Sequence, residues 1–160
     1  MKPKAPEVIA KAIDSAVQLA TAESLTAGMI AARLAEVPGA SAVLRGGVVS
    51  YSSEVKASLL GVDAQLLEAH GSVDPEVARQ MAVGAQLACG AEAAVSATGV
   101  AGPEPHDGKA VGTVYIGWAM GTESGSEVHH FVGDRAQIRE QSTQAALHHF
   151  IAILDKASSQ

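Results

Sequence analysis

The order in which helical and extended segments follow one another limits this chain more than any single motif. Apolar residues at helical spacing fill 6–19 (Val8, Ile9, Ala12, Ile13, Ala16, Val17), and a short extended run follows at Gln18 to Ala22. A helix over roughly 25–36, opened by Ser24, has Leu25, Met29, Ile30 and Leu34 on one face and stops at Pro38-Gly39. Residues 42–50 read as a strand with a kink or close backbone approach at Gly46-Gly47. Two short helices follow, Glu54 to Leu60 and Ala64 to Ala69, each with a glycine just beyond it. Asp74-Pro75-Glu76 places an N-cap and an N1 proline at the head of a helix running to Cys89 and Gly90. Strands at 92–98, Val111 to Met120 and Glu127 to Val132 then lead into a last helix from near Asp134 to about Lys156. Early strands separated by helices need crossover connections, whereas the last three can pair through turns. The expected fold class is therefore α/β, a three-layer α/β/α sandwich with a mixed sheet. No repeat, low-complexity tract or linker interrupts it, so 1–160 reads as one domain.

Composition supports this layering. Hydrophobic residues make up 48% of the chain and aromatics only 3%. The interior must be filled by Ala, Val, Leu and Gly, whose small side chains let helices lie close on a sheet. The net charge of -6 argues against broad nucleic-acid binding, because an acidic surface repels a phosphate backbone. A few N–H groups and one or two arginines can still hold a small phosphate ester. The single cysteine, Cys89, fits a reducing compartment. The start, MKPKAPEVIAKAIDSA, lacks the apolar run of a signal peptide, and nothing approaches about 18 consecutive apolar residues. A cytoplasmic protein with no membrane partner is expected.

Four segments carry groups capable of chemistry. In Thr21-Ala22-Glu23-Ser24-Leu25-Thr26-Ala27-Gly28 a serine stands between a strand and a helix. The unpaired N–H groups there can cap the serine or stabilise an oxyanion beside it, and small neighbours such as Gly28 admit a substrate. Alone, the segment reads more simply as an N-cap. In Ser50-Tyr51-Ser52-Ser53-Glu54-Val55-Lys56 a tyrosine and a lysine flank a strand-to-helix corner. A neutral lysine can activate a serine, provided its pKa falls from about 10.4 toward roughly 7–8. The plainer alternative is a solvated lysine. Thr98-Gly99-Val100-Ala101-Gly102-Pro103 ends a strand with exposed N–H groups suited to a phosphate or oxyanion, or is an ordinary turn. Arg135 and Arg139 share a helix face, as a phosphate-holding pair or a solvated basic patch.

Other chemistries are set aside. None of the histidines (70, 106, 129, 130, 148, 149) pairs at i, i+4 around a glutamate or with a cysteine, so no zinc site, and no metal or cofactor, is expected. No Gly-x-Ser-x-Gly elbow is present. Cys89, before Gly90 at a helix end, reads as a small buried hydrophobe.

Taken together, AESLTAG, GGVVSYSSEVKASLLGV, ATGVAGP, VGTVYIGWA and GDRAQIR resemble the CinA C-terminal domain family, from about Val8 to Leu154. That family includes stand-alone nicotinamide-nucleotide amidohydrolases. The resemblance implies conversion of nicotinamide mononucleotide and water to nicotinate mononucleotide and ammonia without metal. It puts the nucleophile on Ser24, and the family's tyrosine and lysine on Tyr51 and Lys56. Substrate contacts are expected from Thr26 and Gly28, from the Thr98–Gly102 loop including Gly99, and from Arg139 or Arg135. A homo-oligomer is also implied, as is a stand-alone form without the larger nucleotide-binding domain that often precedes this one. A non-catalytic nucleotide-binding member of the family is the alternative. The family's Ser-Cys-Thr-Gly-Gly reads Ser24-Leu25-Thr26-Ala27-Gly28 here, the glycine-rich stretch reads Glu104-Pro105-His106-Asp107-Gly108, and Lys-Pro-Val reads Lys109-Ala110-Val111.

Overall fold

A computed structural model describes residues 3–158. Its elements are α1 (Lys4–Ser15), β1 (Leu19–Glu23), α2 (Met29–Ala35), a 3-10 turn (Ala40–Ala42), β2 (Leu44–Val49), α3 (Ser53–Leu60), α4 (Ala64–His70), α5 (Pro75–Cys89), β3 (Ala93–Gly99), β4 (Thr113–Met120), β5 (Glu123–His130) and α6 (Arg135–Ser158). The sheet order is β2-β1-β3-β4-β5. β1 runs parallel to both β2 and β3, while β4 and β5 continue antiparallel. This is the expected mixed sheet between helical layers. Leu19, Val95 and Ile116 face a core shared with α1, α2 and α6, and Ala20, Ala22 and Ala94 face one shared with α3 and α5. No helix among the described residues is long and apolar enough to cross a membrane.

Small residues set the layer spacing. A Cβ on Gly117 of β4 would lie 2.0 Å from the Ala78 carbonyl of α5, and one on Gly84 of α5 would lie 2.0 Å from the Leu60 carbonyl of α3. The Ser96 hydroxyl donates to that Ala78 carbonyl at 2.6 Å, so strand and helix are joined as well as packed.

The capping signals work as the sequence suggests. Asp74 accepts from the N–H groups of Glu76 and Val77. Asp134 accepts from the Gln137 N–H while the Gln137 side chain accepts from the Asp134 N–H, a reciprocal box. Three boundaries differ. α1 ends at Ser15 because Ala16 turns left-handed (φ 56°), which frees the chain to enter β1. β5 starts at Glu123, four residues before the expected start, because Gly121-Thr122 suffice as a turn and Gly125 leaves room for the Trp118 ring. α2 starts at Met29 and not beside Ser24. Residues 25–28 form an irregular turn, with Ala27 at φ 47° and Gly28 at φ 100°.

Candidate active site

The parallel pairing of β1 and β2 decides which groups meet. Glu23 lies opposite Val49, and the Ser50 N–H extends the pairing by donating to the Glu23 carbonyl at 2.8 Å. Ser24 therefore leaves β1 beside Ser50, which leaves β2. The chain then turns into α3, with Ser52 capping the Val55 N–H, and Lys56 on its first turns points back to the strand ends. Its Nζ stands 3.0 Å from the Ser24 Oγ and donates to the Ser50 carbonyl at 2.8 Å. Lys56 is only 1% exposed. Burial penalises its charged form and pushes its pKa down to about 8, against a smaller upward pull from Asp107. At pH 7 about a tenth of such an amine is uncharged, and the fraction rises with pH. With one hydrogen donated to the Ser50 carbonyl, the uncharged amine has a lone pair available to Ser24.

Glu23 organises the adjacent turn, a role the sequence reading missed. Its buried carboxylate accepts from the N–H groups of Gly28, Ile30 and Ala31 and from the Thr21 hydroxyl. The expected oxyanion donors at the start of α2 are thus already occupied, which corrects the reading of Gly28. The Ala27 N–H goes to the Ser24 carbonyl. Among the described residues, the N–H groups of Leu25 and Thr26 donate to no protein acceptor. Arg139 fixes their direction. Its Nε donates to the Leu25 carbonyl at 2.8 Å, and because a trans peptide points its N–H opposite its C=O, the Thr26 N–H faces away from Arg139. Thr26 itself is fully buried and its hydroxyl has no partner, so it is no part of the pocket wall.

A pocket of about 430 Å³ opens over Ser24. Leu25, Tyr51, Ser72, Arg135 and the loop from Gly99 to His106 line it. The two arginines divide their work: Arg135 reaches the pocket, and Arg139 lies behind the Ser24 turn. Arg135 donates to the Gly102 carbonyl at 2.7 Å and to the Tyr51 hydroxyl at 2.8 Å. Tyr51, 57% exposed, is thus a wall residue whose hydroxyl is engaged by Arg135 and not by Lys56. Thr98 is buried and donates to the Ser72 carbonyl at 2.8 Å, which places it behind the wall, whereas Gly99 and Gly102 are on it.

The chain and its fold have counterparts elsewhere. A family model described as the CinA C-terminal domain matches residues 2–154. The chain belongs to the CinA C-terminal domain family. A CinA-like protein from Frankia casuarinae is 46% identical over 140 residues, which is 88% of this chain and 32% of that protein. A CinA-like protein from Mycolicibacterium vanbaalenii is 51% identical over 132 residues, 81% of this chain and 31% of its own. The chain thus spans about a third of the length of the curated relatives it matches. Among solved structures, a competence-damaged protein (CinA) superfamily member from Klebsiella pneumoniae is similar with a TM-score of 0.92 at 30% identity, over 96% of each chain. A competence/damage inducible protein from Agrobacterium tumefaciens gives 0.84 at 32% identity, over 97% of this chain and 98% of that one.

Within this CinA domain, Asp107 is a second residue the sequence reading passed over. His106 and Lys109 bond to each other in both directions across Asp107 and Gly108, which have φ of 50° and 73°. Asp-Gly between two paired residues is a strong hairpin signal, and it was available in the sequence. The Asp107 carboxylate accepts from the N–H and hydroxyl of Ser72, tying the hairpin tip to the opposite wall. For Glu23 the signal was subtler: a carboxylate a few residues before the first turn of a helix.

Proposed function

We propose that the domain is an amidohydrolase that removes ammonia from nicotinamide mononucleotide, with Ser24 as nucleophile and Lys56 as its base. The observation that carries this reading is the 3.0 Å contact between the Ser24 hydroxyl and a buried amine whose pKa is lowered to about 8. A serine next to an uncharged amine is a nucleophile beside a base. Lys56 takes the hydroxyl proton as Oγ attacks the carboxamide carbon. The tetrahedral oxyanion is met by the free N–H group of Leu25, which lines the pocket beside Ser24. Lys56 then returns the proton to the departing nitrogen, releasing ammonia. Water, deprotonated by the same amine, cleaves the acyl-enzyme and restores Ser24.

The pocket suits the rest of such a substrate. About 430 Å³ lies in the range of small-ligand sites. Arg135, with the N–H groups of Ala101 and Gly102 that donate to no acceptor among the described residues, provides a seat for the phosphate. Tyr51 offers an exposed ring edge to the pyridine. The single cysteine suits a cytoplasmic enzyme.

The test is ammonia release from nicotinamide, its riboside, its mononucleotide and its dinucleotide. The mononucleotide is expected to be the preferred substrate. Ser24→Ala is expected to fold, bind the mononucleotide and lose at least about a thousandfold in turnover. Near-normal turnover by this variant would rule out the mechanism. Binding of the mononucleotide by the wild type with no ammonia from any substrate would leave a nucleotide-binding module.

A further inference from the structure

About ten residues along α6 from Arg139, some 15 Å at helical rise, lies a second cluster of polar side chains. Glu127 and His129 alternate on β5 and so point to the same face of the sheet, the face covered by α6. His149 comes down from α6 to meet them. The Nε2 atoms of the two histidines are 3.4 Å apart, and the Glu127 carboxylate is 3.5 Å from the His149 Nε2. All three ligand atoms lie within 4.8 Å of one another. Sequence spacing hides this group, because one member comes from a different element.

We propose that Glu127, His129 and His149 form a divalent transition-metal site of the Zn²⁺ class, separate from the serine–lysine pocket. The two separations made by His149 are those a tetrahedral ion requires, and Glu127 and His129 lie within 4.8 Å of each other. Ligands at about 2.0–2.1 Å from a tetrahedral centre are about 3.3–3.4 Å apart, whereas cis ligands of an octahedral ion are closer to 3.0 Å apart. The rings are also oriented for it. They meet edge to edge, centroids 5.6 Å apart and planes at 87°, with ring nitrogens facing, instead of stacking on one another. Phe131 stacks on His129 at 5.2 Å and holds its ring in this orientation. His149 is 8% exposed and His129 is half-buried, so both rings are held within the fold. Glu127 is exposed and supplies the negative charge. With Glu123, His149 and Lys156, it borders a groove of about 590 Å³ through which the fourth position reaches solvent. Bound there, an ion would clasp the edge strand β5 to the C-terminal half of α6.

The experiment uses tag-free protein stripped of metal and titrated with Zn²⁺ by calorimetry, and with Co²⁺ by visible absorption. The expected result is one equivalent of Zn²⁺ bound with micromolar or tighter Kd, a tetrahedral Co²⁺ spectrum and a higher Tm with metal. His129→Ala and the exposed Glu127→Gln should each weaken Zn²⁺ binding by at least about tenfold, and Cys89→Ser should leave it unchanged. His149→Asn is a third probe, with circular dichroism to check that the buried position tolerates it. No uptake by the wild type, or equal uptake by the wild type, His129→Ala and Glu127→Gln, overturns the site.

Discussion

The floor and the rim of the pocket are built on different terms. On the floor, Ser24 and Lys56 are anchored by main-chain groups of two parallel strands and one helix, and the amine is almost fully buried. On the rim, the segment between β3 and β4 crosses the opening and is held at its tip through a two-residue turn and one carboxylate. Under the proposed amidohydrolase reading, the contrast separates chemistry from choice of substrate. Groups fixed by backbone keep their geometry whether or not a ligand is present, so they suit proton transfer. Groups on an exposed loop can vary in shape without disturbing it.

The largest effect that would test this division is Lys56→Met. Turnover should fall by about a thousandfold or more while substrate affinity is retained, read from steady-state kinetics alongside calorimetry. The same variant should melt at a higher temperature. The native amine has a folded-state pKa of about 8, below its unfolded value near 10.5, so it destabilises the fold fully below pH 8. That gain should fade as pH rises from 8 to 10.5. Next in size is the pH profile of the wild type. Since the base must be uncharged, kcat/KM should climb about tenfold per unit below pH 8 and level off above it. A flat profile from pH 6 to 8 would show that the amine does not take the proton.

The paired arginines sharpen the comparison further. Arg139→Ala loosens the turn behind Ser24, so kcat should drop by about tenfold to a hundredfold with KM little changed. Arg135→Ala removes a rim cation, so KM for the mononucleotide should rise by a similar factor while kcat holds. Exchanged outcomes would place the phosphate on the floor. The smallest effect belongs to Thr26→Val. Its buried hydroxyl bonds to nothing, so replacing it with a methyl of similar size should leave KM unchanged and stability equal or slightly higher, by at most about 1 kcal/mol.

The layered fold was legible because its signals are local. Asp74-Pro75 and Asp134 announce helix starts, Gly61 and Gly90 announce helix ends, and the spacing of apolar residues gives the rest. Ser24 and Lys56 were legible as chemical types at element boundaries, but their contact depends on strand pairing that no local pattern encodes. Two features depended on tertiary partners in the same way. The start of α2 was placed at Ser24 because nothing in the turn shows that Glu23 takes the helix-end donors. The resemblance put Arg139 ahead of Arg135 for the phosphate, and only their tertiary partners show that Arg135 is the one lining the pocket. The proposed metal site is likewise hidden from sequence spacing, since His149 comes to Glu127 and His129 from another element.

The glycines beneath α5 carry a consequence for motion. At Gly117 and Gly84 the backbone of one element sits where a side chain would be, against a carbonyl of the next. Layers seated this closely cannot slide past one another without collision. The scaffold beneath the pocket is therefore expected to keep one arrangement whether or not a ligand is bound.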